Sequence, residues 1–213
     1  DFCLSRGLGD VYKRQITPLV ACLCITGISL MQIPKLQKLL INKQAISVET
    51  LEKDLKKASL HLELFQNVPS FGYKNLIADW VYIDFLQFFG DTEARDKTGY
   101  SISPEYFKVI LDRDPRFLEA YLSLSISTSL YGGMPDQTIA LMEKGLKSIS
   151  PQVPKRSYYV WRYKGTDELL FLGNAQAAQT SFLKAAEWAS AYTDEESKQA
   201  VSYTHLRAHE TGR

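Results

Sequence analysis

The sequence contains few of the residues from which most enzymes build their active sites. Its 213 residues include three histidines and three cysteines. Between residues 25 and 200 there is no cysteine, and His61 is the single histidine. A disulfide framework and a cysteine metal site are therefore excluded from this stretch. One histidine is also too few for a typical zinc site, and it leaves little scope for histidine-based acid–base catalysis.

No charge of one sign is in excess. The chain has 25 lysines and arginines against 24 aspartates and glutamates. A nucleic-acid-binding domain carries a basic patch, so this balance argues against that class of partner. Phosphate-binding loops, dinucleotide fingerprints and nucleophile elbows are missing from the sequence. Asp79 and Asp84 could be read as a pair of catalytic acids. On a helix, however, their side chains would point about 140° apart and would not converge on one site. We therefore expect no enzyme activity, catalytic residue, metal or cofactor.

In residues 1–15 and 201–213 the apolar residues do not continue the helical spacing of the adjoining sequence. Both ends resemble peptides produced when sequencing-adapter DNA is translated in frame. We therefore treat them as adapter-like and leave them out of the fold prediction. This removes Cys3, His205 and His209 from the candidate functional residues.

An apolar segment lies close to the N-terminus, over residues 16–33. It carries no charge, and its 18 residues just reach the length of a membrane-spanning helix. Pro34 is expected to end it. The segment predicts a single membrane anchor or a signal sequence, with a buried helix as the alternative. The lysines that follow favour a cytoplasmic body by the positive-inside rule, but a periplasmic or lumenal body stays open because the native residues before the segment are unknown.

The 12 glycines and 8 prolines fall mostly between stretches whose apolar residues recur with the period of a helix. This pattern predicts an all-α protein of about seven helices. Residues 34–73 contain a linker and an amphipathic helix over 47–66. Residues 75–89 are so rich in apolar and aromatic side chains that we expect a helix buried nearly all round. A polar loop over 90–102 follows, and Ser103 is the expected N-cap of the next helix. Four further helices are predicted, over residues 117–131, 135–149, 156–172 and 174–190.

The helices after residue 74 pair with a period near 34 to 40 residues, which is typical of stacked helix hairpins. Asp114-Pro115 followed by Glu119-Ala120-Tyr121, and Leu172-Gly173-Asn174 followed by Ala178, Phe182 and Ala185, resemble motifs of the tetratricopeptide (TPR) family. Glu143-Lys144-Gly145-Leu146 before Pro151 resembles the ending of that family's second helix. The resemblance implies a short solenoid of antiparallel helix hairpins over residues 74–200, behind the N-terminal hydrophobic helix. The sequence is also similar to uncharacterised membrane-anchored repeat proteins of cyanobacteria.

The family resemblance implies a protein–protein adaptor or scaffold that is tethered at a membrane through residues 16–33. In such folds the first helix of each hairpin lines a concave groove that holds a segment of a partner protein. The residues expected to face the groove are Glu119, Leu122, Ile126, Tyr159, Arg162 and Thr166. Arg162 could bind a carboxylate in two-point fashion, or it could pair only with acids of its own helix.

Two alternatives stay open for the aromatic helix and for the function. Trp80, Tyr82, Phe85, Phe88 and Phe89 could line an apolar ligand pocket, but core packing is the commoner role of such a cluster. The protein could also be a structural or assembly subunit of a membrane complex. Its permanent interface would then involve residues 47–66 and the aromatic helix.

Overall fold

The computed structural model describes residues 18–37 and 48–211. They form ten α-helices and one π-helical segment, and the described part of the chain has no β-strand beyond one isolated bridge between Ser150 and Val153. The predicted all-α class is therefore confirmed, with more helices than the seven expected. The chain divides into two compact units, residues 1–47 and residues 48–213.

The first unit contributes one described helix, α1 (Pro18–Gln37). It has a mean hydropathy of 1.7, and it is long and apolar enough to span a bilayer, a property that a signal sequence shares. Its side chains are exposed throughout. Pro34 does not end this helix as predicted. It lies in the last turn, where the missing N–H removes one hydrogen bond and only three residues follow. Ile16 and Thr17 lie outside the described residues.

The second unit contains the remaining helices. They are α2 (Val48–Asn67), α3 (Lys74–Gly90), α4 (Thr92–Thr98), α5 (Ser103–Arg113), α6 (Leu118–Leu124), the π-helical segment (Ser125–Tyr131), α7 (Pro135–Leu146), α8 (Tyr158–Leu170), α9 (Ala175–Ala189) and α10 (Glu195–Thr211). Helix α3 packs on α5, α5 on α7, and α6 on α8. Helix α9 lies between α8 and α10.

The expected loop over residues 90–102 contains a short helix, α4. Asp91 caps it through a hydrogen bond from the Ala94 amide, and the Arg95 guanidinium lies 3.9 Å from the centre of the Phe88 ring. This cation–π contact lets a charged side chain fold back onto the apolar helix before it. The expected cap at Ser103 is not formed, since Ser103 is the first residue of α5 and Ile102 occupies the N-cap position.

Helix α10 extends through part of the segment that was left out of the fold prediction. Ala200, Thr204 and Ala208 recur every four residues and are buried, and the helix packs along α9. Small side chains at this spacing allow two helices to lie close together. Residues 201–211 therefore belong to a helix that covers α9.

Helix α3 is not buried all round, contrary to the prediction. Phe85 is buried, and its ring meets that of Phe107 edge to face with 4.5 Å between the ring centres. On the opposite side Trp80 is 62% exposed, and Leu76 and Ile83 are also exposed. The helix has apolar residues on every side but neighbours on only one, so one apolar face stays uncovered.

Glycines set the distance between neighbouring helices at two crossings. The Tyr121 ring lies against the backbone of Gly145, where a Cβ atom would overlap the tyrosine hydroxyl. Tyr121 is fully buried and donates a hydrogen bond to the Pro115 carbonyl at 2.7 Å, so its ring has no room to move away. At the second crossing a Cβ atom added to Gly165 would lie 3.0 Å from the Phe182 ring, which is tighter than an ordinary contact.

Arg113 fastens α2 to the rest of the unit. Its Nη2 atom donates hydrogen bonds to the carbonyls of Phe65, Gln66 and Val68 at 2.6, 2.9 and 2.7 Å. The last carbonyls of a helix lack hydrogen-bond donors within the helix and carry a partial negative charge. A guanidinium supplies the donors, and its positive charge balances theirs. From Glu49 to Asn67, Leu62 is the only fully buried side chain of α2.

We predict that Gly145→Ala lowers the free energy of unfolding by about 1–3 kcal/mol, the usual cost of overpacking a core. The control is Gly90→Ala, because Gly90 also lies in a helix but its added Cβ would meet nothing within 4 Å. Urea unfolding of the full chain in mild detergent, followed by circular dichroism, measures both. Equal stabilities for the two variants would contradict the close crossing.

Candidate binding groove

A groove of about 500 Å³ lies between α3, α6 and the N-terminal part of α8. Its walls combine aromatic, aliphatic and hydroxyl-bearing side chains with a few charges. The lining residues are Tyr82, Leu118, Glu119, Leu122, Ser123, Lys155, Arg156, Tyr159 and Tyr163. A concave surface of this size and composition can take up the side chains of a bound segment.

The first wall is formed by α3 and α6. Helix α6 starts after a turn in which the Asp114 carboxylate accepts a hydrogen bond from the Arg116 amide at 2.9 Å. Tyr82 of α3 contacts the Phe117 ring edge to face at 4.7 Å, and its hydroxyl shares a 2.9 Å hydrogen bond with Ser123. The two contacts hold the tyrosine at the side of the groove. Leu122 remains 42% exposed and is free to contact a ligand.

The second wall is formed by the start of α8 and the residues before it. Arg156 has a left-handed backbone with φ 67°, uncommon for a residue with a side chain. Its amide donates to the Tyr192 hydroxyl at 2.9 Å, and its guanidinium pairs with Glu196 at 2.8 Å. These contacts from the region of α10 offset the backbone strain. Lys155 beside it is exposed at the rim of the groove.

Tyr159 is fixed by neighbours on two sides. Its hydroxyl donates to a Glu196 carboxylate oxygen at 2.8 Å, and its ring stacks on that of Tyr158 with 4.7 Å between centres. Burial and the hydrogen bond to Glu196 raise the pKa of Tyr159. Burial also raises the pKa of Tyr163, and the nearby Glu119 carboxylate adds to that rise. Both phenols are therefore neutral hydrogen-bonding groups at physiological pH.

Three of the six residues predicted to face a partner meet in this groove: Glu119, Leu122 and Tyr159. The other three do not line it. Arg162 lies over the Tyr203 ring at 4.7 Å and near the Tyr159 ring at 5.6 Å, so its guanidinium supports Tyr159 from behind. Thr166 lines a separate small cavity beside Tyr203. Ile126 lies half-buried in the π-helical segment.

The sequence did not assign six of the nine lining residues to a groove: Tyr82, Leu118, Ser123, Lys155, Arg156 and Tyr163. Tyr82 was assigned to the apolar cluster because its helix is dense in aromatic residues. The only signal for Lys155 and Arg156 is their position at the start of a predicted helix, which does not reveal a fold-back toward α10. Within residues 18–37 and 48–211, no group of three or more acidic, histidine or cysteine side chains is arranged to hold a metal ion.

A buried carboxylate links the π-helical segment to α8 behind the groove. Asp167 is fully buried and accepts hydrogen bonds from Ser125 at 2.6 Å and Ser129 at 2.9 Å. The two serines are four residues apart, so the segment presents both hydroxyls to one side chain. Burial raises the pKa of Asp167, and the two serine hydrogen bonds oppose that rise.

A second buried group lies one turn away and ties α8 to α9. Lys164 pairs with the Glu168 carboxylate, which also accepts a 2.6 Å hydrogen bond from Ser181 of α9. Lys164 reaches Glu143 of α7 as well, at 3.3 Å. Removing one partner from such a buried pair leaves the other charge uncompensated, so the arrangement fixes the position of α8 between its neighbours.

We predict that Asp167→Asn changes the pH dependence of stability. Because the pKa of Asp167 is raised in the folded state, folding favours the protonated acid. The stability that this preference contributes is fully present below the ordinary pKa of 3.8. It is lost as the pH rises through the raised pKa. The stability of the native chain relative to the variant should therefore fall as the pH rises above about 4. Urea unfolding at several pH values measures the difference.

The control for this experiment is Asp79→Asn, which removes a carboxylate from an exposed position of α3. It reports the general effect of losing one negative charge. If native chain and Asp167→Asn differ by the same amount at every pH, the carboxylate is ionised as easily in the folded chain as in the unfolded one.

Comparison with known proteins adds no family assignment to these observations. No protein-family model matches the chain, and no curated protein shows significant similarity to it. The assignment of a function therefore depends on the geometry of the groove.

Proposed function

We propose that the protein is a membrane-tethered adaptor that holds a segment of a partner protein in the groove between α3, α6 and α8. The observation that carries this proposal is the meeting of Glu119, Leu122 and Tyr159 in one concave site. These residues come from two predicted hairpins, 40 positions apart in sequence. Each was expected to face a partner because its helix occupies the first position of a hairpin.

The packing order of the helices supports a TPR-like arrangement. First helices of successive hairpins lie side by side in such a solenoid, and so do second helices. The contacts of α6 with α8, and of α5 with α7, follow this alternation. Helices α8 and α9 also approach closely at Gly165, which faces Phe182, one of the residues on which the resemblance depends. A solenoid of this kind offers a rigid surface for binding without chemistry.

The chemistry of the groove fits a peptide segment with an apolar anchor. Leu122 on one wall and Tyr159 on the other would enclose an aliphatic or aromatic side chain. The Tyr82–Ser123 pair offers hydroxyl groups to the peptide backbone. Lys155 at the rim would favour an acidic residue beside the anchor, whereas Glu119 would disfavour one on the opposite side. Such a mixed rim selects the direction in which a segment lies.

The membrane attachment in this proposal is supported by α1. A helix of 20 residues with a mean hydropathy of 1.7 is suited to hold the chain at a bilayer by a single N-terminal segment. A tether of this kind raises the local concentration of the adaptor near membrane-bound partners, so a groove of moderate affinity suffices. The proposal holds for a body on the cytoplasmic side and for one on the periplasmic or lumenal side.

We predict that Leu122→Glu abolishes partner capture by the full chain from detergent-solubilised membranes. A carboxylate at the centre of the groove must be desolvated against the apolar anchor of the ligand, at a cost of a few kcal/mol. Binding should therefore weaken by about two orders of magnitude. Affinity capture with quantitative mass spectrometry measures the loss.

The matched control is Leu183→Glu. Leu183 of α9 is 44% exposed against 42% for Leu122, and it lies outside the groove lining. Both substitutions thus add the same charge at equally exposed leucines. Capture of the same proteins by the native chain and by both variants would refute the groove as the binding site.

A second candidate function is a permanent subunit of a membrane complex. The observation in its favour is on α2, where Leu60 and Leu64 are one turn apart and 54% and 62% exposed. In a permanent complex the second subunit would cover these two leucines, and the two proteins would purify together. Co-purification of a second protein in fixed stoichiometry, abolished by Leu64→Glu and not by Leu122→Glu, would favour this function over the adaptor.

A further inference from the structure

The turn between α2 and α3 holds a large aromatic side chain away from the body. Phe71 is 85% exposed, the largest exposure of any large apolar side chain among the described residues. Its backbone is in the left-handed region with φ 45°, and Gly72 follows with φ 92°. A hydrogen bond from the Tyr73 amide to the Ser70 carbonyl at 2.7 Å closes the turn. A phenylalanine in this conformation carries backbone strain.

The exposed apolar surface continues from this turn along α3. Tyr73 is 69% exposed, and Leu76 and Trp80 follow at 65% and 62%. Leu76, Trp80 and Ile83 have the spacing of one helix face. We call the set Phe71, Tyr73, Leu76 and Trp80 the aromatic ridge. Single exposed apolar residues are ordinary on a protein surface, but a contiguous set of this kind marks a contact site.

The chemistry of the ridge is that of the bilayer interface. Tryptophan and tyrosine concentrate at the level of the lipid headgroups, where the ring enters the acyl region and the N–H or O–H stays hydrated. From Val68 to Ile83 the only charged residues are Lys74 and Asp79, which balance one another. Contact with the ridge therefore depends on apolar insertion and does not need anionic lipid.

We propose that the aromatic ridge inserts into the interfacial layer of the bilayer to which α1 attaches the chain. The inference rests on the membrane attachment of the proposed function and is independent of the groove. What favours lipid over another protein is the presence, in the same chain, of a helix suited to cross a bilayer. A tethered surface meets lipid at high effective concentration, so a few aromatic side chains give a stable contact.

Trp80 is the natural probe of this contact, because the chain has three tryptophans and the other two pack against each other. Trp161 and Trp188 meet edge to face with 5.9 Å between ring centres. The full chain is reconstituted into phosphatidylcholine vesicles whose acyl chains carry bromine near the headgroup. Bromine quenches only tryptophans within the bilayer. We expect the native chain to be quenched, Trp80→Phe to lose that quenching, and Trp188→Phe to keep it.

Two further measurements separate the other occupants of the ridge. Acrylamide, a quencher confined to water, should reach Trp80 less in vesicles than in detergent-free urea. Disulfide trapping of Phe71→Cys, with Cys3, Cys22 and Cys24 changed to serine, tests whether the ridge of one copy meets that of another. Full acrylamide access in vesicles, or quantitative cross-linked dimers, would overturn the lipid contact.

The outcomes also distinguish this inference from the proposed function. A chain that does not co-float with vesicles would overturn both the membrane attachment and the lipid contact. A chain that co-floats, but whose tryptophan emission bromolipid leaves unchanged, overturns the ridge alone. Neither result bears on the groove, which the Leu122→Glu and Leu183→Glu pair tests by partner capture.

Discussion

The close approach of helices at small residues is the constraint on which the rest of the body depends. Where Gly145 meets Tyr121 and Gly165 meets Phe182, the helix backbones come near enough for an aromatic ring to fill the gap between them. Rings that pack in this way fix both the distance and the rotation of neighbouring helices. The groove walls are then placed by the core, and the side chains on them need no support from a ligand.

Helix α8 connects the packed core to the groove. The buried bonds of Asp167, Lys164 and Glu168 reach the π-helical segment, α7 and α9. Tyr159 and Tyr163, two turns and one turn before Asp167 on the same face of α8, line the groove. A π-helical segment is seldom kept in a protein without a local reason, and this one carries the two serines, Ser125 and Ser129, that donate to the Asp167 carboxylate. The polar contacts lie behind the binding surface and hold it in place.

The fold class and most helix positions could be predicted from the sequence because they depend on local signals. The apolar period located α2 and α3, and Asp114-Pro115 and Gly173 located turns. Helix α4 and the exposed face of α3 were missed. The period records which residues are apolar but not how many neighbours a helix will have, so Trp80 looked like a core residue.

Three of the six predicted groove residues line the groove, because their positions also depend on local signals. Glu119, Leu122 and Tyr159 lie near the start of their helices, where the register follows directly from the turn. Ile126 comes after the α-helix has changed to a π-helix, and that change rotates the residues beyond it. Arg162 has the right position but prefers aromatic rings supplied by Tyr159 and by Tyr203 of α10, a segment left out of the prediction.

Helix α2 has a different status from the other helices, because Arg113 attaches it by its end. Among its residues whose burial is described, Leu62 alone is fully buried and Leu51, Leu55 and Phe65 are half-buried, so α2 gives up a limited apolar surface when it leaves the body. Its amides should therefore exchange with solvent by local opening, long before those of α5 or α9 do so by global unfolding. Opening must break the three hydrogen bonds from Arg113 and the packing of α2 on α4 and α5. The balance of these contacts against the rest of the core sets how readily α2 detaches.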